Sequence, residues 1–544
     1  MKKFKLFAAS LGLMTLAACS NTDDVFNGAE ELAQAQLDDN AITFGTYMSQ
    51  SAQTRATGGA NGPISSAQVL AQKGGFGVFG YYTVEKDYLG TVKSDKDPAV
   101  ALTGTPATDL TTPQATALAP NFMYNQHVTG TNAVAPVWTY APIKYWPNGN
   151  TTADDQDGNA GSDPAKGTVG GKVSFFAYAP YWDKTAATDG IIAMSANDAT
   201  GNPTVTYKLA TNGTAVDLLW GTAGINGVKA QDGTVANEPW YIAKNPTTTT
   251  AWSDNPYKVN ANLTKMKTDG KIAFNFKHAL AKVGGSKTGA GSVVNGLMII
   301  ADLDNSGAES GGSFETGTVD GQDGTKLTKI TVNSIVISND IDDDGDFDSD
   351  DKAVATANKG TLDLATGQWT LSDDAADKTA INHTIDATGS DPNGKLANAI
   401  AEKTPAPTSL TKNDFFKCTG TWAGQTGVPD DKPINVYQTE TNPFVFIPGQ
   451  APTLRFKITY IVRTYDANLA NGFSEVTQTV SKKVTFGSNL VMNKQYNVLI
   501  HLGLTSVKFT ATVSDWDVNT TDSNGDGVPD TFDQEVHLPI NVAD

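Results

Sequence analysis

The chain has 544 residues, with 58 Asp and Glu against 39 Lys and Arg, and a formal net charge of −19. So acidic a surface disfavours nucleic acid and anionic lipid as partners. Only 18% of residues are charged, Thr, Asn, Asp, Gly and Ala are abundant, and helical spacing is scarce, a composition that suits a secreted β-protein with long turns.

The N-terminus carries Lys2, Lys3 and Lys5, an apolar run from Leu6 to Leu16, and then Ala17-Ala18-Cys19-Ser20. The run is shorter than the roughly 20 residues needed to span a bilayer, so residues 1–18 are expected to be a secretory signal peptide. The string LAAC resembles the bacterial lipobox, which implies cleavage before Cys19 and acyl chains, palmitate among them, on its thiol. Loss of residues 1–18 takes three lysines from the 39 basic residues and leaves 36 against 58 acids, a net of −22. The other cysteine is Cys418, so acylation of Cys19 precludes an intramolecular disulfide and the fold must rest on its core. About 520 mature residues suggest two or three domains.

Residues 20–40 are polar and acidic and read as a spacer, with helical spacing at Glu30 to Leu37 only. Ile42, Phe44, Thr46 and Met48 share one face of an extended segment, which predicts a short strand over 41–48. Arg55 follows, the only basic residue between Lys5 and Lys73. It is an isolated target for a trypsin-like protease, or a solvated loop arginine.

Further strands are predicted at Phe76 to Tyr82, Val137 to Tyr145, Val173 to Tyr181, Val216 to Trp220 and Lys271 to Val283, with a long loop from Lys93 to Pro120. Turn residues rather than helices separate these runs, which argues for antiparallel sandwiches. A polar stretch from Asn260 to Gly270 suggests a domain divide near 265, giving domains over 58–265 and 266–544. Beyond a strand at 329–338, Leu454, Phe456, Ile458, Tyr460 and Val462 alternate with mostly polar residues, and Gln495 to Leu504 and Val507 to Val513 repeat the pattern. Val536, Leu538, Ile540 and Val542 form a last apolar face over 534–542. Pro539 within it removes a ladder donor and predicts an edge strand or one paired on a single side.

Two acidic loops have calcium-ligand spacing. Asp522, Asn524, Asp526, Val528 through its carbonyl, Asp530 and Asp533 occupy positions 1, 3, 5, 7, 9 and 12 of one, with Gly527 at position 6. This loop resembles those of thrombospondin type 3 repeats. Asp340, Asp342, Asp344, Asp346, Asp348 and Asp351 occupy the same positions of the other, with Gly345 at position 6 and a Gly-Thr turn expected at 360. Eight of those twelve residues are aspartate, so the folded loop repels itself unless a cation or solvent screens it. Asp instead of Glu at position 12 shortens the reach of the bidentate ligand and implies modest affinity, in a structural Ca²⁺ role.

No catalytic constellation can be assembled. The five histidines, His127, His278, His383, His501 and His537, lack metal or triad spacing, and no G-x-S-x-G, Walker, HExxH or CxxC motif occurs. Cys418, beside Phe415, Phe416 and Trp422, reads as a packed thiol. Trp138, Tyr140, Tyr145, Trp146, Tyr181 and Trp182 are either strand core or an aromatic platform for a glycan or host ligand.

The strings LAAC, ITFGTYMSQSAQTRAT around Arg55, FMYNQ at 122–126, WTYAPIKYWPN at 138–148, SFFAYAP at 174–180, FKHALAKV at 276–283 and YNVLIHLGLTSVKFTATVSDW at 496–516 resemble, in order, the fimbrillin family of Bacteroidetes lipoprotein pilins, the type V pilus subunits. That resemblance implies an all-β fold of two tandem transthyretin-like antiparallel β-sandwich domains with long loops. It implies a lipoprotein delivered to the outer membrane through Cys19 and cut between Arg55 and Ala56, so that 19–57 is a leader whose strand 41–48 is lost. It further implies strand exchange with other fimbrial subunits. Val536, Leu538, Ile540 and Val542 are the expected donor residues. The length and the acidic insert depart from a simple stalk subunit and leave open a tip adhesin, or a surface lipoprotein that does not polymerise and binds host or glycan ligands.

Overall fold

The computed structural model describes residues 41–48, 67–84, 88, 92–93, 118–133, 135–147, 172–210, 216–223, 228–229, 235–236, 240–242, 258–263, 271–285, 296–301, 318–319, 322–323, 328–386, 394–396, 434–440, 444–502, 507–515, 536–537 and 540–543. Cys19, Arg55, Ala56, Cys418, the 30–37 stretch and the 522–533 loop lie outside them. Strands dominate the described residues, with two short helices at Ala67–Gln72 and Ser349–Val354 that local spacing did not announce.

The first sheet follows the order Thr43–Met48, Lys271–His278, Leu219–Ala223, Lys172–Ala179, Lys258–Leu263, Trp240–Ile242, Val92–Lys93, and Phe76–Val84 and Met123–Gly130 extend it from Lys172–Ala179. Both faces of this sheet are covered. Val173, Phe175, Ala177, Phe274 and Phe276 pack with Ile42, Phe44, Phe76 and Trp138 on one side. Phe176, Tyr178 and Trp220 pack with Phe79, Tyr81, Val205 and Tyr207 on the other. That is why Lys172–Ala179 reads KVSFFAYA, apolar almost throughout instead of alternating.

The second sandwich closes two seven-stranded sheets over one core. Leu454, Phe456, Ile458 and Tyr460 of Thr453–Tyr465 enter it from one sheet, and Tyr496, Val498, Ile500 and Leu502 of Lys494–Leu502 from the other. Pairing is mainly antiparallel, but Thr43–Met48 runs parallel to Lys271–His278, and Lys494–Leu502 runs parallel to both Ala281–Val283 and Leu297–Ala301.

Several local expectations shift. The run predicted as one strand over Lys271 to Val283 breaks at Ala279–Leu280, and there the chain passes from the first sheet to another. Of Val137 to Tyr145 only Trp138–Thr139 is strand; Pro142 has no N–H to give a ladder. Gly360 and Thr361 lie in the strand Lys359–Asp363 and not in a turn. That strand pairs with Thr204–Lys208 and Trp369–Leu371 in a four-stranded sheet, so a segment from each half of the chain shares one ladder. The C-terminal 534–542 run is divided about Pro539: Val536–His537 pairs with Thr512 and Val513, and Ile540–Ala543 pairs with Lys483 to Phe486 at the end of its sheet.

Candidate functional site

The strand Thr43–Met48 is bound on one flank by Lys271–His278, in a register that sets Thr43 against Lys271, Phe44 against Ile272 and Met48 against Phe276. On its other flank the residues just before it are held: Ala41 bridges Tyr145, and the Ile42 N–H donates to the Lys144 carbonyl at 2.9 Å. The Tyr140 hydroxyl donates to the Ile42 carbonyl at 2.9 Å and accepts the Lys144 N–H at 3.2 Å. Burial pushes the Tyr140 phenol up to about 12, the Lys144 backbone hydrogen bond pulling the other way, so it stays protonated and able to donate.

The seat is lined by aromatic rings. Phe44, 3% exposed, lies 5.2 Å from Tyr140, 6.0 Å from Phe274, 6.1 Å from Phe175 and 6.2 Å from Phe76, centroid to centroid. Three of these contacts are edge-on and one is stacked, the arrangements that the ring quadrupole favours. Ile42 is fully buried beside them. Burial of these two side chains is worth about 1.5–3 kcal/mol each. The Thr46 hydroxyl is buried without a hydrogen-bond partner among the described residues, a cost within the strand itself. Arg55 follows Met48 by seven residues in sequence.

The acidic loop follows the strand Thr328–Ser338. Carboxylate oxygens of Asp340, Asp342 and Asp351 lie within 4.8 Å of one another. Asp340 accepts from the Asp343 and Gly345 N–H groups at 2.8 and 3.0 Å, while Gly345 turns through a φ of 95°. Asp348 caps the helix Ser349–Val354 and Asp351 reaches back to the Asp348 N–H, a capping box built from two aspartates. The buried Asp351 carboxylate also takes the Ile341 N–H at 2.7 Å. Desolvation and repulsion from Asp344 and Asp351 hold the Asp342 carboxyl above its ordinary range. Lys457 reaches Asp343 at 3.1 Å, outside the cluster.

Three of the six expected ligands therefore converge, Asp340, Asp342 and Asp351, with hard oxygens of the kind Ca²⁺ takes. Asp344 accepts the Asp346 N–H at 2.9 Å, and Asp348 is engaged at the helix cap.

The aromatic residues divide. Trp138, Tyr140 and Trp146 are buried, Tyr181 and Trp182 half-buried, and Tyr145 is 52% exposed. Tyr181 stacks on His127 at 3.7 Å. His278 is buried against Asp217 at 2.9 Å, and His383 against the Tyr437 hydroxyl at 2.7 Å. What the sequence did not disclose is the convergence of Phe76, Tyr140, Phe175 and Phe274 on Phe44; each sits in an aromatic run, but the elements lie far apart in the chain.

No known family profile matches the chain. A stretch of 210 residues, 38% of the chain, is 27% identical to the fimbrium subunit Fim1C of Phocaeicola vulgatus. The match spans 39% of that relative's length. The crystal structure of a fimbrial protein from Bacteroides vulgatus ATCC 8482 is similar at 18% identity and a TM-score of 0.49, covering 88% of this chain and 99% of that one.

Proposed function

We propose that the chain is a structural subunit of cell-surface fimbriae, delivered to the outer membrane as a lipoprotein on Cys19, cut between Arg55 and Ala56, and joined to other subunits by strand exchange. The observation that carries this reading is the seat of Thr43–Met48. It is the terminal strand of its sheet, paired with one strand through six register positions and seated by apolar side chains. Its departure would leave the Lys271–His278 edge unpaired beside an aromatic-lined slot, which an extended strand from a neighbour can fill by β-augmentation. Repeated head to tail, such a contact does not close and grows a filament. The likeness to a fimbrium subunit supports the same reading.

The buried positions of Trp138, Tyr140 and Trp146 favour a scaffold over a glycan-binding platform. Asp340, Asp342 and Asp351 are proposed to hold a structural Ca²⁺ that neutralises their mutual repulsion. The assembly reading is tested by Arg55→Ala on cells: wild-type subunits are expected to form SDS-resistant ladders and the variant monomers. Ladders that persist unchanged in the variant would refute exchange triggered at that arginine.

A further inference from the structure

The slot beneath Thr43–Met48 specifies more than an apolar strand. Phe44 is enclosed by four rings from four separate segments, Phe76, Tyr140, Phe175 and Phe274, at 5.2–6.2 Å. An aliphatic side chain in that position leaves part of the seat unfilled, and the surrounding rings lose contacts. The register is pinned two residues earlier, where the Ile42 carbonyl takes the Tyr140 hydroxyl and the Ile42 N–H meets the Lys144 carbonyl. A strand that reproduces this seat needs a buried aliphatic residue with a free N–H and an aromatic residue two positions later.

The chain's own C-terminal segment does not meet that pattern. In any register that turns its apolar face into the slot, the Phe44 position receives Leu538, Ile540 or Val542. The pair Leu538 and Ile540 also places Pro539 at the Thr43 position. Because the Ile42 N–H faces Lys144, the next N–H along an extended strand faces Lys271–His278, and proline has none to offer. The nearest aromatic upstream, Phe532, would carry Asp530 into the fully buried Ile42 position, at a large desolvation cost.

We infer that the slot selects a donor strand of the pattern aliphatic-x-aromatic, which the 534–542 segment of a second copy does not supply. The inference rests on the proposal that Thr43–Met48 leaves the slot.

The chain itself makes the test practicable. Its three arginines are Arg55, Arg455 and Arg463, and the last two are buried in the strand Thr453–Tyr465. An arginine-specific protease is therefore directed to Arg55, and a cut there removes the covalent link between the first strand and the rest of the chain. A fluorescent peptide of residues 41–48 is then exchanged into the cut protein and displaced by four unlabelled peptides: 41–48, 41–48 with Phe44→Leu, 534–544, and 534–544 with Ile540→Phe. The 41–48 peptide is expected to displace the label best, and Phe44→Leu to weaken it about ten-fold or more. The 534–544 peptide is expected to be at least as weak, and Ile540→Phe to recover part of the difference. Displacement by 534–544 within about three-fold of 41–48 would overturn the inference while leaving strand removal intact, since cavity costs of this size exceed that margin. Failure of any peptide to exchange overturns both, because the first strand then does not leave.

Discussion

Replacing Phe44 by alanine removes a ring that four others surround. Buried Phe→Ala changes cost about 3–5 kcal/mol. Here the loss falls on a strand that can detach without unfolding its neighbours, because Lys271–His278 keeps its antiparallel partner Leu219–Ala223 on the other flank. The free energy therefore appears first as local opening. At 1.4 kcal/mol per decade, detachment should become about 10²- to 10³·⁵-fold more frequent. Native-state hydrogen exchange read by mass spectrometry over 41–48 and 271–278 measures this directly. The expected result is loss of protection on those segments, with Lys172–Ala179 and Thr453–Tyr465 unchanged. A change below about ten-fold at the first strand would mean that its ladder, worth about 0.5–1.5 kcal/mol per hydrogen bond, holds it without the ring. An equal loss across the whole first sheet would show that the strand is not a separate unit. Either result refutes the reasoning.

Thr46→Val keeps the shape of the side chain and removes a buried hydroxyl that has no partner among the described residues, so thermal melting should show stabilisation of about 1–2 kcal/mol. Millimolar Ca²⁺ should raise the melting temperature and bind in calorimetry. An ion at about a hundred times its Kd adds about 2.7 kcal/mol, and Asp340→Asn with Asp342→Asn should abolish the part due to this loop. Trp369→Phe deletes the indole hydrogen bond to the Ala279 carbonyl at 2.9 Å. It should cost about 1 kcal/mol and lower the cooperativity of unfolding seen by scanning calorimetry. The Asp377 carboxyl is held below its ordinary range by the Ser372 hydroxyl at 2.6 Å, then by Lys359 at 3.1 Å and Lys208. A depressed carboxyl adds stability that is present above its unfolded pKa of about 3.9 and is lost as pH falls through its folded value. Acid titration of Asp377→Asn should therefore show a shallower loss of stability below about pH 4 than the parent chain.

Alternation along one strand was readable because it is local. Leu454, Phe456, Ile458 and Tyr460 announce their face and are fully buried. In Lys494–Leu502 the same alternation is deceptive: Gln495, Asn497 and His501 of the polar face are buried too, and the Asn497 side chain accepts the Gly296 N–H at 2.7 Å. Which strands meet was not readable at all. The pairing of Thr43–Met48 with Lys271–His278 joins segments more than two hundred residues apart, and the ladder between Thr204–Lys208 and Lys359–Asp363 joins strands from both halves. Periodicity carries no information about partners. The six-residue helix Ala67–Gln72 is too short to establish a period. The density of aspartates over 340–351 was legible, but the use of Asp348 and Asp351 as a capping box was hidden, because aspartate stands where that motif usually has Glu or Gln.

The seat and the two-part architecture are mechanically one feature. A strand in the slot runs parallel to Lys271–His278, and six residue pairs share the ladder. Tension directed along such a strand loads those pairs in shear, side by side, instead of opening them one after another. The loaded neighbour then continues through Ala279–Leu280 into Ala281–Val283, which lies between Lys494–Leu502 and Val445–Phe446 in the second sandwich. The crossing is fastened from three directions: the Ala279 N–H donates to the Leu218 carbonyl at 2.8 Å, the Trp369 indole donates to the Ala279 carbonyl, and the Asn493 N–H donates to the Leu280 carbonyl at 3.0 Å. Trp220, on the strand beside Lys271–His278, is tied in turn to the Leu364 carbonyl at 2.9 Å. Force entering at the slot therefore reaches the second core along a covalent path whose corner cannot swing freely. The Ala279–Leu280 corner thus joins the slot's neighbouring strand to the second core directly.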